Sequence, residues 1–385
     1  MACVRRRRDR WVVDFRDRDG KRRWETFSTR KEADQALSER LRQLKRGSYR
    51  APTELPTFAE VAKDWLASKA DRRVSTVAQW QVHLDLHIVP ALGHLRLDEV
   101  KVADVERFKN GRRKAGLAPQ SVNKLLTTTS AVFKYAARDE LTDRNPAALV
   151  ERCQRNAAEV EFGAEKVAET DTGVNPDKVL SPGEAARLIA EAEPGYYRTY
   201  FLTAVLSGAR VGELTALRWD DVDLDAATMA IRRTVSWAKL RGTPGVAKPR
   251  FFQPKTKESR RIIPMPPELV SALRRWKLAC PPSALDLMFP NAEGTPRHRS
   301  TIACDGLGPA LKRAALRHVT IHSLRHTFAS ALIMQGRPVT EVSHLLGHKS
   351  PAITLSVYSH WFKEVQTGAV DDLAKVVCAP QTKTR

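Results

Sequence analysis

Aromatic residues make up only 7% of this 385-residue chain, and cysteines number five. No apolar run approaches the eighteen or so residues needed to cross a bilayer, so no membrane helix is expected. Cys3, Cys153, Cys280, Cys304 and Cys378 are odd in number, widely spaced and without a Cys-x-x-Cys pair. That pattern excludes a disulfide framework, a zinc ribbon and a thioredoxin-like redox centre, and leaves five free thiols. Arg5 to Arg8 follow the first residues with no apolar segment behind them, so a secretory leader is not read and an intracellular protein is expected. The remaining scarcity is of acid: 44 Asp and Glu stand against 65 Lys and Arg.

What is present is a globular composition, 42% hydrophobic and 28% charged, long enough for two or three domains. The formal charge of +21 implies a polyanionic partner, because basic side chains release its condensed counterions on binding. Residues 1–50 carry +9, 51–150 carry +3, 151–177 carry −4 and 178–385 carry +13. Two basic segments around a mildly basic one suggest a grip on nucleic acid at several sites. A highly charged but unspecific surface is the bland alternative.

Trp11, Val13 and Phe15 alternate with polar residues, Asp17 to Gly20 is a turn, and Trp24 to Phe27 is a return strand. This small antiparallel sheet, expected to have three strands, leads into a helix opened by the Thr29/Glu32 capping pair and running to Gly47. Arginines of the sheet, Arg16, Arg22 and Arg23 among them, are candidates to enter a major groove, as two-stranded ribbons can. A basic solubility or dimerisation appendage would look the same. Thr57 and Glu60 repeat the capping pair, and apolar stripes recur over 58–66, 75–89, 102–112 and 119–138, which predicts a bundle of four or five helices. Its aromatics lie on the stripes and are assigned to the core. Lys109, Arg112, Arg113, Lys114 and Lys124 are the candidate phosphate contacts.

Periodicity is lost over 147–177, an acidic linker, and helices resume at Ser181-Pro182. A nearly all-apolar helix, 196–206, runs into Ser207-Gly208-Ala209-Arg210-Val211-Gly212-Glu213-Leu214. Arg210 at a helix start, oriented by Glu213, could hold phosphate oxygens bidentately beside free backbone amides. A surface ion pair is the alternative. Strands are expected over 228–235, 251–255 and 260–265, the last two joined through the turn 256–259 with Lys255 at the hairpin edge. The densest chemistry lies in the thirty-seven residues from His322 to Tyr358. They contain His322-Ser323-Leu324-Arg325-His326-Thr327, then Leu345-Leu346-Gly347-His348 with Gly347 as a C-cap, then a helix from Ser350-Pro351. His326 and Thr327 are read as packing residues. The pairs His322/His326 and His344/His348 have zinc-ligand spacing, but no carboxylate or cysteine completes either site, so neither a metal nor a cofactor is expected.

The blocks Ser207 to Leu214, Pro254-Lys255-Thr256, His322 to Thr327, Leu345 to His348 and Tyr358-Ser359-His360 together resemble, in order and spacing, the tyrosine recombinases of the phage integrase family. The resemblance implies a mainly α, multi-domain α+β chain. Residues 1–50 would be an arm-site-binding domain of sheet and helix, 57–146 a helical core-site-binding bundle, 147–177 a linker, 178–370 a mixed α/β catalytic domain and 371–385 a tail. It implies that Tyr358 attacks a DNA phosphodiester to form a 3′-phosphotyrosyl link. Arg210, Arg325, His322 and His348 would stabilise the charge on the phosphoryl oxygens, and Lys255 would protonate the leaving 5′ oxygen, with Lys257 the alternative acid. The partners implied are double-stranded DNA attachment sites and three further copies in a homotetramer, with an excisionase or a host DNA-bending protein as helper. The place would be the cytoplasm, at the nucleoid. A mobile element or prophage is the expected context. A non-catalytic DNA-binding regulator on the same fold and a type IB topoisomerase are the other readings.

Overall fold

A computed structural model describes residues 2–17, 19–46, 55–154, 176–243, 247–254 and 257–363. The chain divides into two compact units, residues 1–159 with 239–245, and residues 160–238 with 246–385.

The first unit opens with the expected three-stranded antiparallel sheet, β1 (Cys3–Arg7), β2 (Arg10–Arg16) and β3 (Arg22–Phe27), in the order β1-β2-β3. Strand alternation sends Val13 and Phe15 to one face, where Trp11 and Phe27 join them against Ala33 and Leu37 of the Arg30–Arg46 helix. The register puts Arg5, Arg7, Arg10, Arg16, Arg22 and Trp24 on the other face, and Trp24 is 63% exposed there. Thr29 and Glu32 exchange the reciprocal bonds of a capping box at 3.2 Å each.

The helices Phe58–Ala67, Val74–His83, Val102–Lys114 and Pro119–Arg138 enclose a core that includes Phe58, Trp65, Leu84, Val105 and Phe133. The aromatics are therefore core residues, with Phe58 and Phe133 at 5.5 Å and Trp65 and Trp80 at 5.1 Å between ring centroids. The helix expected over 75–89 is interrupted: it ends at His83, and a π turn, Leu84–Ile88, intervenes before Val89–Leu92. Pro90, which has no amide to give to the preceding turn, sits just past the widened segment. The bundle also runs beyond residue 146. Asn145 caps a short helix, Pro146–Leu149, that brings Ala147 and Val150 into the same core. Residues 155–175 of the expected linker and the tail 371–385 lie outside the described residues.

In the second unit Ser181 and Glu184 form a capping box with Pro182 in the first turn of the Pro182–Glu191 helix. The Tyr196–Ser207 helix runs through the core, with Tyr200 and Phe201 fully buried against Phe289, Leu214 and Leu324. Two of its buried hydroxyls are satisfied within the helix, where Thr203 donates to the Thr199 carbonyl and Ser207 to that of Thr203, and the Tyr200 hydroxyl meets that of Thr215 at 3.2 Å. The expected strand 228–235 is two strands, β5 (Thr228–Ile231) and β6 (Thr234–Ser236), divided where Arg232 and Arg233 both turn to the buried Asp221 carboxylate at 3.6 and 2.7 Å. With the short β4 (Val222–Asp223), β5 belongs to a sheet ordered β4-β5-β8, where β8 is Arg261–Pro264. β7 (Arg250–Phe252) pairs with β6 instead. Segments 251–255 and 260–265 are thus not the two arms of one hairpin. A 3-10 turn, Lys257–Ser259, precedes β8.

Gly208 ends the central helix in the left-handed region at φ 59°, and a Cβ there would lie 2.3 Å from the Phe328 ring. Both the conformation and the space therefore require glycine. Gly208→Ala is expected to destabilise the fold by roughly 2–4 kcal/mol through overpacking and backbone strain, read as a lowered midpoint in denaturant unfolding.

Candidate active site

The Val339–Leu346 helix ends on Gly347, left-handed at φ 63°. Gly347 N–H donates to the His344 carbonyl and His348 N–H to that of Ser343, the paired bonds of a Schellman cap. The carbonyls just beyond have no backbone donors among the described residues, and three guanidiniums take them. Arg261 Nε donates to Leu345 at 2.6 Å, Arg325 to Leu346 at 2.6 Å, and Arg210 to Gly347 at 3.3 Å. Cationic donors are favoured there because aligned peptide dipoles concentrate negative potential at a helix C-terminus. A Cβ on Gly347 would approach the Arg261 guanidinium to 2.9 Å, so glycine also makes room for this packing.

Glu213 joins two of the three. Its buried carboxylate accepts from Arg210 at 2.8 Å and from Arg261 at 3.0 Å, and its Oε2 also accepts the Arg210 amide at 2.9 Å. Burial pushes the Glu213 carboxyl up, but Arg261 and Arg210 outweigh it and hold it below its ordinary range. Arg210 precedes a helix of only five residues, Val211–Thr215, and its own amide is taken by Glu213. The Arg210 amide itself is therefore not free to hold an anion, and its guanidinium is the donor this residue offers. Arg325 is 3% exposed and also donates to the Gly208 carbonyl at 2.8 Å. Burial, then Arg210 and Arg261, press its pKa down to about 9, a guanidinium still charged at neutral pH. Three buried or half-buried cations face one carboxylate, and the excess positive charge suits an anion.

The Ile321–Met334 helix, capped by Thr320, carries His322, Arg325 and His326 on one face at i, i+3 and i+4. His348 leaves the Gly347 cap and bonds through Nδ1 to the buried Thr354 hydroxyl at 2.8 Å. Burial first, then the neighbouring arginines, lower the pKa of His322 and bring that of His348 to about 4. Both imidazoles are neutral at pH 7 and can donate a hydrogen bond without adding a charge. Tyr358 lies on the Pro351–Lys363 helix at a non-helical residue, φ −123° and ψ 15°, where that helix kinks. It is 1% exposed, and its hydroxyl meets His326 Nδ1 at 2.7 Å. Burial raises the phenol's pKa, while Arg325 lowers it.

Arg210, His322, Arg325, His348 and Tyr358 thus converge on one locality. Lys255 lies outside the described residues, and Lys257 opens the turn before β8. Two further members were not expected. Arg261 is fully buried between Glu213 and Leu345, although strand alternation does place it on the same face as Ile263. His326, read as a packing residue, is instead the hydrogen-bond partner of Tyr358. Its neighbour Thr327 is a packing residue, with a buried hydroxyl between Leu180 N–H and the Ser323 carbonyl.

Of the candidate DNA contacts, Arg22 forks onto Asp14, Arg23 pairs with Asp17 at 2.7 Å, and Arg16 donates to the Gly20 carbonyl. Lys109 reaches the Glu151 carbonyl at 3.3 Å, Arg113 that of Leu117, and Arg112 lies over the Phe108 ring at 5.8 Å. Lys114 and Lys124 are exposed.

Residues 178–364 match the model of the phage integrase family and residues 58–152 that of the phage integrase central domain. The chain is 26% identical over 381 residues to a "Tyrosine recombinase XerC-like" protein of Caldanaerobacter subterraneus subsp. tengcongensis, covering 94% of each. It is 29% identical over 387 residues to an integrase of Streptomyces ambofaciens, covering 94% of this chain and 93% of that one. In fold it is similar to the Tn1549 transposon integrase in complex with transposon right end DNA, with a TM-score of 0.65 at 16% identity over 84% of this chain and 100% of the other. It is also similar to the lambda integrase in a tetramer bound to a Holliday junction, with a TM-score of 0.58 at 19% identity over 90% and 96%.

Removing the Glu213 charge leaves Arg261 buried without its counter-charge. Glu213→Gln is expected to cost about 3–5 kcal/mol in chemical denaturation at pH 7. Because the folded carboxyl is held below its unfolded value, its stabilisation is complete above the unfolded pKa of about 4.3 and is lost as pH falls through the folded value. The gap between wild type and Glu213→Gln should therefore narrow in acid.

Proposed function

The chain belongs to the phage integrase family, the site-specific tyrosine recombinases, and on that premise we propose that Tyr358 is the nucleophile with which it cuts and rejoins DNA strands. The observation that carries this is the placement of the Tyr358 phenol in the locality of three guanidiniums and three neutral imidazoles. A phosphodiester seated there would present its non-bridging oxygens to Arg210 and Arg325. His322 and His348 would add neutral donors to the charge that develops as the phosphorus becomes five-coordinate. Attack by Tyr358 forms a 3′-phosphotyrosyl ester and releases a 5′ hydroxyl. The ester conserves the energy of the broken bond, so rejoining needs no nucleotide cofactor. Lys255, in the Pro254-Lys255-Thr256 block, is our candidate for the acid that protonates the leaving 5′ oxygen.

Residues 57–146 would grip the core site and residues 1–50 a second, arm-type site. The outer face of β1 to β3, with five arginines around the exposed Trp24, has the charge and width of a groove-binding ribbon. Arg5 and Arg22 both pair with Asp14 on that face, Arg23 pairs with Asp17 and Arg16 donates to the Gly20 carbonyl, so Arg7 and Arg10 are the better candidates for phosphate contact. Strand exchange between two duplexes calls for four active sites, and a homotetramer on paired attachment sites of a mobile element or prophage is the assembly that supplies them. An excisionase or host bending protein would set direction.

The attachment sites can be taken from direct repeats flanking the gene. On a nicked suicide substrate built from them, the wild type is expected to accumulate a detergent-stable protein–DNA adduct. Tyr358→Phe should form none while binding the same DNA with unchanged affinity. A wild type that binds its own site and forms no adduct would favour the non-catalytic regulator and end the enzyme reading. Relaxation of supercoils without regard to sequence would favour the topoisomerase.

A further inference from the structure

The mechanism above leaves one proton unassigned. A phenol can attack phosphorus only as its own O–H bond breaks, and Tyr358 is 1% exposed, away from solvent that might take the proton. Its hydroxyl lies 2.7 Å from His326 Nδ1. Resting on the reading of Tyr358 as nucleophile, we propose that His326 is a further catalytic residue, the base that accepts the Tyr358 proton during cleavage and returns it during rejoining.

The surroundings of His326 keep its ring uncharged. Arg325 lies beside His326, His322 one turn earlier on the same helix, and His348 faces it from the Gly347 cap. Burial first, and then these neighbours, hold its pKa down to about 3. The ring is neutral at pH 7. In the proposed arrangement the Tyr358 hydroxyl donates to Nδ1, 2.7 Å away, and the ring proton sits on Nε2.

In cleavage the Tyr358 O–H bond breaks with its proton passing to Nδ1, the new O–P bond forms, and the P–O5′ bond breaks. The departing 5′ oxygen takes a proton from the general acid, Lys255 in the reading above. Rejoining reverses each transfer, with imidazolium giving its proton back to the leaving phenolate. Charge couples this step to substrate. In the empty site burial and the Arg325 guanidinium oppose an imidazolium at position 326. A phosphodiester held by Arg210 and Arg325 offsets that field and makes Nδ1 a better base. The nucleophile is thereby better activated when DNA is in place.

His326→Asn keeps a hydrogen-bond acceptor near the Nδ1 position but takes no proton, and His326→Gln gives a second removal of the base. In single-turnover cleavage of the suicide substrate, both are expected to be slower by about 100-fold or more, with DNA affinity unchanged. Replacing Tyr358 in His326→Asn by a fluorinated tyrosine, assayed above the lowered pKa of that phenol, should recover about tenfold or more of the lost rate, because the proton is already gone. Cleavage by the variants at the wild-type rate would overturn the proposal. So would a loss that the fluorinated phenol does not restore, which marks a packing role, or faster cleavage, which means the hydrogen bond parks the tyrosine. Each of these is distinct from a failure of the nucleophile itself, in which the wild type forms no adduct at all.

Discussion

The carbonyl end of one eight-residue helix, Val339–Leu346, ties distant parts of the second unit together. A helix leaves its last carbonyls unpaired, and solvent or a lysine usually takes them. Here Arg261 from β8, Arg325 from the Ile321–Met334 helix and Arg210 from the turn after Gly208 take three in succession. Elements more than a hundred residues apart in sequence are fixed against a single point. The side chains that fix them are the same ones that make the point cationic, so fold and charge arise from one set of bonds.

Holding three guanidiniums together has a cost that the structure meets only in part. Glu213 neutralises one charge and the helix end roughly half of another, which leaves a net positive field for a phosphodiester to fill. More carboxylates would have made the unit more stable and the site less attractive to DNA. The imidazoles follow the same economy. His322, His326 and His348 are driven neutral by burial and by the arginines, so they add donors and acceptors without adding repulsion.

Much of this was legible in the sequence where the determinants are local. The capping pairs at Thr29, Thr57 and Ser181, the Gly347 cap and the inward aromatics of the bundle each follow from residues within one or two turns. Features set by distant partners were not. The 228–235 segment alternates like one strand, and only Asp221, reaching Arg232 and Arg233, divides it. Alternation pointed Arg261 inward, but its acceptor, Leu345, is 84 residues on. His326 looked like packing because the phenol that meets it is 32 residues away and is presented by a kink at Tyr358 that no residue pattern announces. Lys255 is legible only through the resemblance, and its place in the site is the part of the reading that rests on sequence alone.

The central claim is that the arginines cluster to neutralise the charge of a scissile phosphate. Arg210 tests it most directly, since it is the half-exposed member and its loss leaves the Arg261–Glu213 pair in place. The measurement is cleavage by Arg210→Ala of a suicide substrate whose scissile phosphate is replaced by an uncharged methylphosphonate, compared with the ordinary phosphodiester. If Arg210 neutralises a phosphoryl oxygen, the variant should be strongly impaired on the phosphodiester and close to wild type on the methylphosphonate. Equal impairment on both substrates would contradict the account.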